Sequence, residues 1–233
     1  MGTGSHTSAS SVVRTALGSD FEKLHPKVQW RFGVSSADNK CQLGVGVMEE
    51  MRHSALVPPP VLWLGGRRGL FPAGKANDVP FTIANYAYVD DIGRETLAFV
   101  RRFAFAGKPQ GMNSIMVTPA RTASPDFALD NLGYSSDMIV HTRCSVDSDG
   151  GLVLDSDAPR VLGVRIPQLA SALTSAREWW DEGEQRHRIQ IDVTSRVLGT
   201  LFHYHGWFTA EEHPCAASEI PEDAVPSTLV ERE

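Results

Sequence analysis

Three cysteines occur in 233 residues: Cys41, Cys144 and Cys215. They are odd in number, widely spaced and form no CxxC pair, which excludes a disulfide framework or zinc ribbon and fits a reducing compartment. No apolar run reaches the roughly 18 residues that a membrane-spanning helix needs. Residues 1–11 (MGTGSHTSASS) lack the apolar centre of a signal peptide. Basic residues are in deficit: 22 Lys and Arg against 28 Asp and Glu leave a formal charge of -6, which argues against a nucleic-acid partner. Nucleotide and nucleophile motifs are missing as well. Gly44-Val45-Gly46 is a lone Gly-x-Gly inside a strand pattern with no helix behind it, and no GxSxG elbow occurs. The expectation is a cytoplasmic, soluble, mildly acidic protein that uses no metal or other cofactor.

The chain is 42% hydrophobic and 21% charged, an ordinary globular balance. At this length a single domain buries roughly 70% of the surface its unfolded chain exposes, so neither disulfide nor metal is needed to fold it. The ends differ from the middle. Residues 1–11 are Gly, Ser and Thr rich, and residues 211–233 carry seven acids, one Arg and three prolines. Both ends are expected to be disordered, which leaves one domain over 12–210. Val12, Val13, Ala16, Leu17, Phe21 and Leu24 recur on one helix face, and Val28 to Phe32 make a further turn after Pro26. Residues 57–72 begin with prolines and contain Gly65-Gly66, so a short helix followed by a loop is expected. The rest alternates as strands over 43–51, 80–89, 94–105, 114–118, 137–146, 152–156, 160–166, 174–182, 186–194 and 200–209. Many antiparallel strands with few helices predict a mainly β fold, a lipocalin-like barrel or strongly curved sheet with N-terminal helices. A helix-grip fold would need a long C-terminal helix, and the acidic, proline-broken end does not supply one.

Hairpin register selects the inward residues, because side chains alternate along a strand. A turn centred on Asp91-Ile92, with a two- or four-residue loop, pairs Tyr88 with Glu95 and puts Tyr86, Tyr88, Glu95, Leu97, Phe99, Arg101, Phe103 and Phe105 on one face. A turn at Gly183-Glu184 pairs Trp180 with His187 and Glu178 with Ile189. A turn near Val197-Leu198 brings Phe202 and Tyr204 onto the face of Ile191. An aromatic interior with few polar groups suits a small apolar ligand, although aromatic stripes also simply fill barrels.

The expected wall comprises Tyr86, Tyr88, Phe99, Trp180, His187 and Phe202. Glu95 and Glu178, if buried, would have raised pKa values and serve as acid or base, with Arg101 or Tyr204 holding an oxyanion. Glu178 has no cation across its hairpin, which favours a chemical role. This set predicts a cofactor-free cyclase or isomerase that folds an apolar natural-product intermediate, such as a polyketide, into a reactive shape. The alternative is a carrier or sensor that binds an apolar metabolite unchanged. His203-Tyr204-His205 has the spacing of strand metal ligands, but the register turns both histidines outward and no third ligand is evident in sequence.

The string Val79-Pro80-Phe81-Thr82-Ile83-Ala84-Asn85-Tyr86-Ala87-Tyr88-Val89-Asp90, running into Gly93-Arg94-Glu95-Thr96, resembles the signature of a bacterial domain-of-unknown-function family. Leu24-His25-Pro26-Lys27-Val28, Gly46-Val47-Met48, Glu178-Trp179-Trp180-Asp181, Arg188-Ile189 and Gly206-x-Phe208 extend the resemblance over roughly 20–210. Members occur alone or fused behind saccharopine-dehydrogenase-like reductases, which implies a third reading as accessory partner of a separate reductase. The resemblance implies no general activity. It also implies Tyr where Trp180 stands and another residue at His203.

Overall fold

The computed structural model describes residues 9–119, 126–134, 138–161, 164–165 and 171–226. Helices α1 (Val12–Leu17) and α2 (Pro26–Phe32) come first. The Ser11 hydroxyl caps α1 by accepting from the Arg14 N–H at 3.1 Å, and Pro26 opens α2 where its missing N–H has no partner to lose. Strand β1 (Lys40–His53) is followed by α3 (Pro59–Arg68) and then β2 (Ala76–Val89), β3 (Glu95–Phe103) and β4 (Gln110–Val117). Next come β5 (Phe127–Leu132), β6 (Met138–Val146), β7 (Leu152–Ser156) and the two-residue β8 (Arg160–Val161) and β9 (Val164–Arg165). The chain finishes with β10 (Ala172–Asp181), β11 (Arg186–Ser195) and β12 (Gly199–Pro214).

Among the described residues, ten strands form a closed antiparallel barrel in the order β5-β4-β3-β2-β1-β12-β11-β10-β7-β6, which the β5–β6 pairing closes. β8 and β9 extend from β6. β5 is absent from the sequence expectation because Asp130 interrupts Phe127-Ala128-Leu129, and Asp is depleted from strands.

The two ends of the barrel are built differently. Phe21, Val28 and Phe32 from the N-terminal segment enter the lower end and join the main core, each burial worth about 1.5–3 kcal/mol. The His25 N–H donates to Gly150 O at 2.9 Å and fixes the segment to the β6–β7 turn. At the other end α3 leads into Leu70 and Phe71. A Cβ on Gly65 would overlap the Phe71 ring, so only glycine lets this turn fold back. Between the ends, Phe81, Phe103, Phe202, Tyr204 and Phe208 fill the half of the interior nearest β1, β2 and β12.

The last strand continues to Pro214, beyond the expected boundary at 210, and residues 217–226 lie against the barrel instead of forming a solvated tail. The cause is an apolar outer face: Tyr88, Ala98, Val100, Ile115, Val117 and Leu129 gather there with Ala224 and Ile220. The Tyr88 hydroxyl donates to Ala224 O at 2.9 Å, and Asp223 is held by Arg102 and Asn113. Residues 1–8 and 227–233, the outer parts of the two expected disordered ends, lie outside the described residues. No helix among the described residues is long and apolar enough to cross a membrane.

Candidate functional site

Two hairpins decide which side chains face inward. The β10–β11 and β11–β12 registers are those expected: Trp180 lies opposite His187, Glu178 opposite Ile189, and Ile191 opposite Tyr204. The β2–β3 register is not. The Asp90 N–H donates to Arg94 O at 3.0 Å, which leaves a three-residue loop whose last residue, Gly93, has φ of 87°. An odd loop shifts the pairing by one residue relative to an even loop, so Tyr88 sits opposite Thr96, and Val89, not Tyr88, opposite Glu95. Tyr86 and Tyr88 therefore face outward, under the C-terminal segment, and the expected wall loses both. A buried ion pair, Arg94 Nε to Asp90 Oδ2 at 2.8 Å, locks the loop.

Glu95 keeps the inward parity but lies at the lower rim. Its carboxylate accepts from the Ser36 N–H at 2.6 Å and the Ser36 hydroxyl at 2.7 Å. Burial pushes its pKa up, and the Ser36 hydrogen bonds oppose that shift. Trp180 and His187 also belong to the lower end. Trp180 stacks on His25, and His187 stacks on Phe208 with centroids 5.2 Å apart. Desolvation lowers the His187 pKa to about 3, so its ring is neutral.

Glu178 finds the cation that its hairpin lacks, from α2. Arg31 is fully buried; its Nε donates to Glu178 at 3.2 Å, its Nη1 to Gln42 Oε1 at 2.9 Å and its Nη2 to Asn85 Oδ1 at 2.9 Å. Burial pushes the Glu178 carboxyl up, while Arg31 and then Arg101 pull it back. Tyr204 is fully buried, its pKa pushed up by desolvation to about 12, with no partner for its hydroxyl among the described residues.

The open half of the interior is a cavity of about 380 Å³. Its walls are apolar: Phe99, Met112, Met116, Met138, Val140, Leu154 and Ile191, with Leu70 and Phe71 at its upper end. Methionines suit such a lining because their unbranched, polarizable chains adapt to irregular ligands. Only two ionisable groups reach it among the described residues, Arg101 from β3 and Asp130 from β5. Asp130 accepts from the Ser114 hydroxyl at 2.7 Å. Burial pushes its pKa up; the Ser114 hydrogen bond and the Arg101 charge oppose that shift. Arg101 is buried over the Phe99 ring at 5.3 Å, and its Nε and Nη1 have no hydrogen-bond partner among the described residues. A smaller void of about 20 Å³ adjoins the cavity and brings Arg101 and Glu178 onto a common wall.

Of the ten residues singled out from sequence, Phe99 and Arg101 line the main cavity and Glu178 the adjoining void. Phe202 packs beside it, 6.1 Å from Phe71. Asp130 was missed because β5 was missed; Ser114, Met112, Met116 and Met138 lie on β4 and β6, for which no hairpin turn fixes the inward face in sequence. Arg31 was missed because an arginine is almost never fully buried, and no spacing rule flags one.

A family model described as a domain of unknown function (DUF4166) matches residues 24–208. The chain is 27% identical over 197 residues to an uncharacterised protein, YndH, of Bacillus subtilis (strain 168), covering 83% of this chain and 94% of that protein. No solved structure matches.

Proposed function

The chain belongs to the DUF4166 family, whose description assigns no activity, and from the geometry of the cavity we propose that it binds a mostly apolar small molecule by one anionic end at Arg101. The observation that carries this reading is the buried guanidinium whose Nε and Nη1 have no hydrogen-bond partner among the described residues, in a mostly apolar cavity. Buried donors without an acceptor are costly, and a carboxylate or enolate supplies the missing lone pairs through charge-assisted bonds. The volume falls within the roughly 300–1,000 Å³ usual for small-molecule sites. Calorimetric titration with decanoate and with methyl decanoate tests it. Decanoate is expected to bind at least about tenfold more tightly, one charge-assisted bond's worth. Equal affinities would overturn the reading.

A second reading, a cofactor-free cyclase or isomerase acting on a polyketide-type intermediate, is favoured by Asp130. A carboxyl whose pKa burial raises, in the same cavity as a guanidinium, is an acid beside an oxyanion holder. Glu178 is the weaker candidate because Arg31 compensates it. Metabolite profiles of a strain lacking the gene separate enzyme from carrier. An accumulating isomer, cleared by the native gene and not by Asp130→Asn, supports catalysis; unchanged structures in altered amounts support carriage.

A further inference from the structure

The outer wall of the barrel carries a second constellation, far from the cavity's polar groups in chemistry as in facing. β1 and β12 pair with a register shift between Met48 and Glu50, which leaves Glu49 without a strand partner. Such a bulge puts two consecutive side chains on one face, so Met48 and Met51 stay in the core while Glu49 and Glu50 both lie at the surface. Glu50 then stands opposite His205, and His203 follows on the same face of β12.

From this convergence we infer that Glu50, His203 and His205 form a binding site for a divalent transition metal of the zinc class. His203 Nε2 lies 3.1 Å from His205 Nδ1, and Glu50 Oε2 lies 3.9 Å from each of those nitrogens. Tetrahedral ligands at about 2.0–2.1 Å from zinc are about 3.3–3.4 Å apart, so shifts of about half an ångström bring all three into coordination. The supporting contacts have the form seen around metal-bound histidines. His203 Nδ1 meets Asp192 Oδ1 at 2.7 Å, which fixes the tautomer that presents Nε2 as a lone pair, and Gln190 Nε2 donates to Asp192 Oδ2 at 2.7 Å. Arg52 donates to Glu50 Oε1 at 3.2 Å and leaves Oε2 facing the imidazoles. Glu49 Oε2 sits 3.7 Å from His205 Nε2 and is itself held by Arg188 at 2.8 Å. His205 and Glu50 are each about a third exposed, so the fourth position opens to water and the ion has a path in.

Titration of chelator-treated protein with zinc chloride, and the visible spectrum after adding cobalt(II), test this site. One zinc per chain and a tetrahedral cobalt spectrum are expected. His203→Asn and His205→Gln should each weaken zinc at least about a hundredfold, and Asp192→Asn about tenfold to a hundredfold, with circular dichroism unchanged. Failure to bind zinc, or zinc binding that survives both histidine substitutions, would overturn the assignment and leave a hydrogen-bonded histidine pair.

An independent observation concerns the upper rim. Segments 51–77, 104–109 and 195–200 contain Arg52, Arg67, Arg68, Lys75, Lys108 and Arg196 and no Asp or Glu, within a chain of charge -6, although Asp78 and Asp157 also lie at this end. The opposite end carries Asp90, Asp91, Asp147, Asp149, Glu182 and Glu184 in its turns. The basic rim also holds six exposed large apolar residues: Leu56 60%, Val61 48%, Trp63 62%, Leu64 49%, Val197 68% and Leu198 46%. The Ser54 N–H donates to Leu201 O at 2.8 Å, so the segment leading to α3 and the β11–β12 turn adjoin. On α3, Val61, Trp63 and Leu64 share the exposed side with Arg67, whose guanidinium lies 5.1 Å from the Trp63 ring centre.

The geometry points to docking of this rim on an anionic bilayer: Trp and aliphatic side chains enter the interface while cations meet lipid phosphates. The cavity's upper end would then face the phase in which an apolar ligand dissolves; that corollary alone rests on the binding reading above. Co-sedimentation with phosphatidylcholine vesicles, with and without added phosphatidylglycerol, tests the docking without any cavity ligand. Binding only to the anionic vesicles, released by salt, is expected, with Trp63 fluorescence shifted to the blue. Each basic residue removed should cost about fivefold, so Arg67→Ser/Lys108→Ser/Arg196→Ser should lose about a hundredfold. Equal binding to both vesicles, or binding that survives the triple substitution, would overturn it. Concentration-dependent self-association abolished by Trp63→Ser, without vesicle binding, would also overturn it and assign the rim to a second copy of the chain.

Discussion

Replacing Arg31 by Ala is expected to lower the free energy of unfolding by about 3–5 kcal/mol, the cost of leaving a buried charge without its partner. The guanidinium is fully buried and spends three donors on three side chains from different strands: Glu178 on β10, Gln42 on β1 and Asn85 on β2. Truncation strands all three acceptors at once in a space that water reaches poorly, and it removes the cation packed 5.1 Å from the Phe208 ring centre. Against a typical total of about 5–15 kcal/mol, such a loss is readily measured in urea. The sign of its pH dependence follows from Glu178. Burial already raises that carboxyl's pKa, and loss of Arg31 raises it further, so the folded variant takes up a proton more readily than the unfolded chain. The destabilisation is therefore fullest at neutral pH and shrinks on acidification, as the folded-state carboxyl takes up its proton before the unfolded one does. Should Arg31→Ala fail to fold, Arg31→Met combined with Glu178→Leu removes both charges together and is expected to recover most of the loss. A single variant within about 1 kcal/mol of the native chain would mean that the network contributes little.

What the sequence made legible follows the parity of its turns. The loop from Glu182 to Gln185 has an even number of residues between the paired Asp181 and Arg186, so alternation carried through it and placed Glu178, His187 and Ile191 correctly inward; Tyr204 reached its expected face because a register shift between Val193 and Thr194 offsets the three-residue loop between Ser195 and Gly199. Asp90 to Arg94 closes an odd loop, and the same reasoning turned Tyr86 and Tyr88 to the wrong side. Nothing in Asp-Asp-Ile-Gly distinguishes the two cases except Gly93, whose positive φ is the mark of a three-residue hairpin loop. β5 stayed hidden for a different reason: Asp130, which lines the cavity, is a residue type depleted from strands and breaks the pattern by which they are recognised. The barrel class survived both errors, since it depends on the number of hairpins and not on any one register. Of the residues proposed as ligand wall, Tyr86 and Tyr88 face outward, Trp180 and His187 pack at the lower end, Phe202 joins the filled half of the interior, and Phe99 lines the cavity. The third metal-ligand candidate was invisible because a bulge, not sequence spacing, brings Glu50 to the histidines.

Arg101→Met is expected to have opposite effects on binding and on folding. For binding, the two unpartnered N–H groups are the donors offered to an anionic ligand, and losing them should weaken decanoate about tenfold to a hundredfold, the worth of one to two charge-assisted bonds. Methyl decanoate should change little, because the apolar wall of Met112, Met116 and Met138 is untouched. For folding, the ligand-free chain holds a buried guanidinium whose Nε and Nη1 are unsatisfied, and methionine fills similar space without that desolvation cost. Removing the charge also forfeits its attraction for Glu178 and Asp130. That loss is the smaller one: Glu178 keeps Arg31 at 3.2 Å, and Asp130 keeps the Ser114 hydroxyl and accommodates a proton. The variant should therefore unfold at higher urea than the native chain, by about 1–3 kcal/mol. Arg101→Lys separates charge from shape, since a lysine keeps the cation but not the fork of donors, and it should retain only part of the discrimination between decanoate and its ester. A binding group held in an unsatisfied state at the expense of stability is what a built site predicts. A methionine variant that binds decanoate as well as the native chain, or that unfolds more readily, would instead make Arg101 a structural residue and remove the anchor on which the binding proposal stands.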